Sequence, residues 1–205
     1  ADTYYDVIAY SSLPNGQPDI LQTNDTAKVL NLFPALSGLY TIGGSTPDYV
    51  DFTSAIAALN AGGVLSWVTF NVRDGVYTEQ ITLSSVLGAS ATDSIVFQSE
   101  SGDAALVRLE YSASSGNRHT VRYNGADYIS FKQITIKGLN SSYANVVRLD
   151  GNSIGAQFVN CIIEMPHVAN FNLKGISGSS STPQDLLVSN TRFNGGYSGI
   201  ELSGS

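Results

Sequence analysis

The 205-residue sequence predicts an all-β chain, a short right-handed parallel β-helix with an N-terminal amphipathic capping helix. Three observations predict it. Gly (20), Tyr (11) and Phe (8) are abundant and only 13% of residues are charged, a composition suited to strands and tight turns. Apolar residues alternate with polar ones over successive short stretches, the period of a strand with one buried face. The second half repeats itself at offsets of 27 and 30 residues, which marks a stacked architecture.

The elements follow in order. Residues 1–37 mix Tyr, Asp and Asn with Pro14, Pro18 and Pro34 and hold no sustained period, so they are read as an irregular lead-in, with 38–205 as the β-helix. From Asp51, a plausible N-cap, Phe52, Ile56 and Leu59 recur at helical spacing, alanines fill the intervals, and Gly62-Gly63 forms the stop. Downstream, Val68-Phe70-Val72, Tyr77, Ile81-Leu83, Ile95-Phe97 and Val107-Leu109 place apolar side chains on alternate residues.

The repeat becomes explicit when Ile129-Ser-Phe131-Lys-Gln133-Ile134-Thr-Ile136 is aligned with Ala156-Gln-Phe158-Val-Asn160-Cys161-Ile-Ile163 and Leu186-Leu-Val188-Ser-Asn190-Thr191-Arg-Phe193. A preceding strand recurs as Val121-Arg-Tyr123, Val147-Arg-Leu149, Phe171-Asn-Leu173 and Ile200-Glu-Leu202. Three strands in so short a unit leave no room for a crossover helix, so each unit is one coil of a parallel β-helix. Parallel crossovers are right-handed. Gln133, Asn160 and Asn190 fall at one turn of consecutive coils and form an amide ladder serving inward-turned polar groups. Ile200-Glu-Leu202 opens a further coil that residues up to Ser205 do not complete, so the C-terminal end is expected to be truncated and to accept a further β-helix segment.

Net charge is −7 and the sequence pI is near 4.6, which argues against a nucleic-acid or anionic-membrane partner. No apolar run approaches the roughly 20 residues needed for membrane insertion. The lone cysteine, Cys161, excludes an internal disulfide and aligns with inward Ile134. The two histidines, His119 and His167, have no partners at ligand spacing, so neither a metal nor another cofactor is expected.

The candidate binding residues are Arg122 and Arg148, outward on adjacent coils, with Asp150 and Lys174 one position on and Glu201 completing the row. Cations on a sheet face suit a groove for an acidic polysaccharide, and the competing reading is a solvated row of self-satisfied charges. Tyr4, Tyr5, Tyr10 and Tyr143 are candidates for stacking on sugars.

Several of these segments resemble the pectin methylesterase branch of the pectin-lyase-like β-helices. Phe52 to Ala61 looks like that family's cap helix, Gly75-Val-Tyr77-Thr-Glu79 matches its Gly-x-Tyr-x-Glu motif, and Val121 to Ile136 follows its early coil. A closer resemblance is to β-helix modules of large secreted proteins of gliding, type IX-secreting bacteria. It rests on Leu36-Ser-Gly38-Leu-Tyr40-Thr-Ile42-Gly-Gly44 and Val68-Thr-Phe70-Asn-Val72-Arg-Asp-Gly75. It implies secretion and surface display. The esterase chemistry departs from the pattern: His167 and Val168 stand where the resemblance would place Gln and Asp, and Phe171-Asn-Leu173 stands where the nucleophilic Asp belongs. The expected function is therefore a non-catalytic structural, adhesive or glycan-binding module. A carbohydrate-active enzyme, a polysaccharide lyase or pectinesterase-like hydrolase, is the alternative.

Overall fold

In the computed structural model, which describes residues 5–10, 26–179 and 183–203, inward apolar residues repeat from coil to coil and close three parallel sheets around one core. The chain begins with β1 (Tyr5–Tyr10) and β2 (Thr26–Leu32), then β3 (Leu36–Ile42) and helix α1 (Phe52–Gly62). Five coils follow. They are β4 (Val64–Val72), β5 (Gly75–Thr78) and β6 (Ile81–Ser84); β7 (Ile95–Ser99), β8 (Val107–Tyr111) and β9 (His119–Asn124); and β10 (Ile129–Lys132), β11 (Thr135–Gly138) and β12 (Ala144–Asp150). The fourth is β13 (Gln157–Val159), β14 (Ile162–Glu164) and β15 (Leu173–Ser179), and the fifth β16 (Leu187–Ser189), β17 (Arg192–Asn194) and β18 (Ser198–Ser203). The first sheet runs β3-β4-β7-β10-β13-β16, the second β5-β8-β11-β14-β17, the third β6-β9-β12-β15-β18.

Like stacks on like inside. Phe70, Phe97, Phe131 and Phe158 form a ladder of nearly parallel rings with centroids 4.8, 5.3 and 6.0 Å apart, all fully buried. Each ring adds stacking to the area it removes from water. Cys161 is buried in this core, its thiol pushed up to about 11 by burial, so it packs as a small apolar residue.

Helix α1 starts where expected. Asp51 accepts from Ser54 N at 2.8 Å while its own N donates to Ser54 Oγ, a reciprocal cap. Gly63 ends the helix at φ 69°, a conformation that suits glycine. The Glu79 carboxylate accepts from Phe52 N, Thr53 N and Thr53 Oγ1, so the Gly-x-Tyr-x-Glu segment ties the first coil to the helix N-terminus. Tyr77 Oη lies 2.8 Å from Arg73 O, and the Tyr77 ring meets Phe52 edge-on.

Three sequence expectations need correction. The lead-in of residues 1–37 is not irregular where it is described: β1 and β2 pair antiparallel, every residue of both is exposed, and β3 already joins the first sheet from Leu36. Pro14, Pro18 and Tyr4 lie outside the described residues. The strand triplet Phe171-Asn-Leu173 is out of register, because Val147 pairs with Ile176 and Ile176 with Ile200. Phe171 is 69% exposed whereas Ile176 is fully buried. The apolar signal is blank at the true position because Gly178 stands opposite Leu149, where an added Cβ would press on Leu202. Ile200 itself keeps phase with Val147 through Ile176, in the last strand of the third sheet.

The amide turn also differs from expectation. Gln133, Asn160 and Asn190 all adopt left-handed backbone, φ 54°, 54° and 46°, which selects for amide side chains. Asn190 Nδ2 donates to Asn160 Oδ1 at 2.7 Å, but both residues are exposed, so this rung faces solvent rather than an inward polar group.

Candidate functional site

The third sheet turns its inner residues Val121, Tyr123, Val147 and Ile176 into the core, so the residues between them face out. Arg148 pairs in register with Arg122, and the row continues through Ser177 to Glu201. Two arginines thus stand on adjacent strands of one face. What holds them is Asp150. Its carboxylate lies 2.8 Å from Arg122 Nε and 2.9 Å from Arg148 Nε, with its side chain 12% exposed against 34% and 36% for the arginines.

Lys174 is not beside Asp150. It lies in register with Asn145 on one side and Ser198 on the other, near the start of the strand, and its ammonium is paired with Glu201. Hydrogen bonding from Lys174 holds the Glu201 carboxyl below its usual value. The structure adds two residues that the sequence reading missed. Arg118 precedes β9, with its guanidinium 4.9 Å from the Tyr143 ring centre and Nη1 3.1 Å from Asn172 Oδ1, and Asn145 lines the same depression. The signal for Asn145 was the repeat itself, once Lys174 is set in its true register. Arg118, Asn145, Arg148, Lys174 and Glu201 together border an open groove of ≈370 Å³.

Beneath this face His119 is buried, and burial followed by the charges of Arg122 and Arg148 lowers its imidazole to about 4, leaving it neutral at neutral pH. His167 is exposed and borders a separate ≈270 Å³ depression on the second sheet with Lys137, Glu164 and Asn194. Among the described residues no three His, Cys, Asp or Glu side chains gather as a metal site, and no helix is long and apolar enough to cross a membrane.

Chemically, the face suits holding anions better than moving protons. Carboxylate-based hydrolysis needs one acid that keeps its proton and one that does not. The two acids here, Asp150 and Glu201, are both engaged in ion pairs. Of the aromatic candidates for sugar stacking, Tyr143 borders this face through Arg118, and Tyr5 and Tyr10 stand exposed on the N-terminal hairpin.

No protein-family model matches the chain, and no curated protein matches it. Solved structures do. The pectin methylesterase of Aspergillus niger superposes with a TM-score of 0.51 at 20% identity, over 82% of this chain and 68% of that enzyme, in its deglycosylated form and equally in its penultimately deglycosylated form. The chain therefore has the pectin-lyase-like parallel β-helix fold, and at that identity the likeness speaks for fold alone.

Proposed function

We propose that this chain is a non-catalytic glycan-binding β-helix module of a larger secreted or cell-surface bacterial protein, holding an acidic polysaccharide along the outer face of its third sheet. The observation that carries this reading is an excess of charge against the trend of the molecule. The chain is net −7 with 10 Lys and Arg in all, yet Arg118, Arg122, Arg148 and Lys174 gather on this one face against Asp150 and Glu201. Planar guanidiniums bind carboxylates in two-pronged fashion, and an extended groove gives successive sugar acids successive cations. Secretion and display rest on the resemblance of the Leu36–Gly75 region to modules of surface proteins.

The rival reading is a carbohydrate-active enzyme on an acidic polysaccharide, favoured by the likeness to pectin methylesterase structures. Retention on an immobilised polyuronate decides the first question. Arg118→Gln with Lys174→Gln removes cations whose loss strands no buried acid, and should weaken retention about tenfold or more while leaving the melting temperature unchanged. Unchanged retention overturns the binding reading. Incubation with pectin, pectate and alginate in the presence of calcium should release neither methanol nor unsaturated product, and release of either establishes the enzyme.

A further inference from the structure

Two polar atoms of the third sheet, one of them on a residue that lines the groove, have nothing to bond. His119 Nδ1 and Asn145 Oδ1 are buried without a hydrogen-bond partner. Their residues are in register on adjacent coils, and Asn145 lines the groove beside Lys174. The one other such atom among the described residues, Arg108 Nε, lies 2.7 Å from the Glu110 carboxylate and is compensated by its charge. The His119–Asn145 pair has no such compensation. Buried polar groups almost always find a partner, and leaving one unmet costs stability, so two unmet groups on adjacent coils that do not satisfy each other call for an outside partner.

We propose that His119 and Asn145 form the floor of the glycan site and read a hydroxyl group of the bound sugar. The inference rests on the reading of this face as a glycan site, and it narrows the ligand to a polyhydroxylated anion rather than any polyanion. Asn145 Oδ1 can only accept, so the ligand must donate to it. Neutral imidazole offers either a donor or an acceptor at Nδ1, and a hydroxyl serves in both senses. Carboxylates on the same sugar draw Arg148 and Lys174 toward themselves at the rim and uncover the floor. The cations supply attraction, and the floor supplies discrimination. An unmet hydrogen-bonding group rejects ligands that lack its complement more strongly than an apolar wall rejects a misfit.

Polygalacturonate and polyacrylate separate the two contributions, because both are polycarboxylates and only the first carries hydroxyls. Binding of each is measured by titration calorimetry on the native chain, His119→Phe and Asn145→Leu, with melting temperatures alongside. The expected result is native preference for polygalacturonate, a loss of about tenfold on that ligand in each variant, unchanged binding of polyacrylate, and melting temperatures equal to or above native, since an unmet buried polar group has been removed. If the native chain binds neither polymer, the glycan reading itself falls. If it binds polygalacturonate and the variants do so equally well, the floor is overturned while the glycan face stands. Variants that melt well below the native chain overturn the floor too, because the two side chains would then be holding the fold.

Discussion

The second and third sheets are built on the same coils yet handle charge in opposite ways. On the second, Glu110, Lys137 and Glu164 stack in register as acid, base, acid, with Lys137 Nζ 3.1 Å from Glu164 and Arg108 paired to Glu110; Arg192 joins this sheet on the last coil. On the third, base stacks on base at Arg122 and Arg148, one acid serves both, and Arg118 adds a further cation. Like charges opposite one another on neighbouring strands destabilise a sheet, whereas alternating charges support it. The second sheet shows how this solenoid satisfies a polar face by alternating its charges. The third departs from that solution, and that departure is what the proposed binding face rests on.

Acid should expose the difference first. His119 under the third sheet is held at about 4 against an ordinary 6.5, so between those values the unfolded chain binds a proton that the folded chain refuses. Stability should therefore fall as pH drops from about 6.5 to 4, by roughly 3 kcal/mol at most, and level off below. On the second sheet burial pushes the Glu164 carboxyl up, but hydrogen bonding and charge from Lys137 outweigh it and leave it low, so its contribution persists above the ordinary carboxylate range and is lost only at lower pH. Urea titrations across pH should show the higher step vanish in His119→Phe. A step that survives the substitution assigns the acid response elsewhere.

Next in size is Asp150→Asn. The neutral amide leaves two stacked guanidiniums without their shared acid, and with the arginines about one-third exposed the cost should be about 2 kcal/mol, shrinking in high salt as the repulsion is screened. Denaturant unfolding at low and high salt measures it. A cost independent of salt would mean that Asp150 acts by packing and that the like-charge row carries no strain.

What the sequence made legible was whatever repeats locally. Phe131 and Phe158 announce the inner ladder because alternation is written within a few residues, and Asp51 with Phe52, Ile56 and Leu59 writes out a helix and its cap. What it hid depends on partners far along the chain. Gly175 and Gly178 erase the apolar beat of β15, so Phe171 and Leu173 offered a false register and carried Lys174 with them. The β1–β2 pairing was masked because every residue of both strands is exposed, so no buried face writes an alternation into the sequence. Arg122 and Arg148 were visible as a row, but the carboxylate that binds both was not, and His119 opposite Asn145 becomes a pair only once strand register is known.

The smallest effect belongs to the second sheet, and its smallness is the point. Glu164→Gln removes an acid whose partner Lys137 is 32% exposed and whose other hydrogen bond, from Asn194 Nδ2, is long at 3.4 Å. Glutamine keeps the length and can still accept from Asn194. Lys137 remains in register with Glu110 on the opposite side, so the cation retains an acid within the row. Solvent reaches Lys137 and screens what attraction is lost. The cost should be about 0.5 kcal/mol, well below that of Asp150→Asn, and unfolding of the two variants under identical conditions compares them directly. Equal costs would mean that the two faces hold their charges alike, and the case for a specialised third sheet would lose its energetic footing.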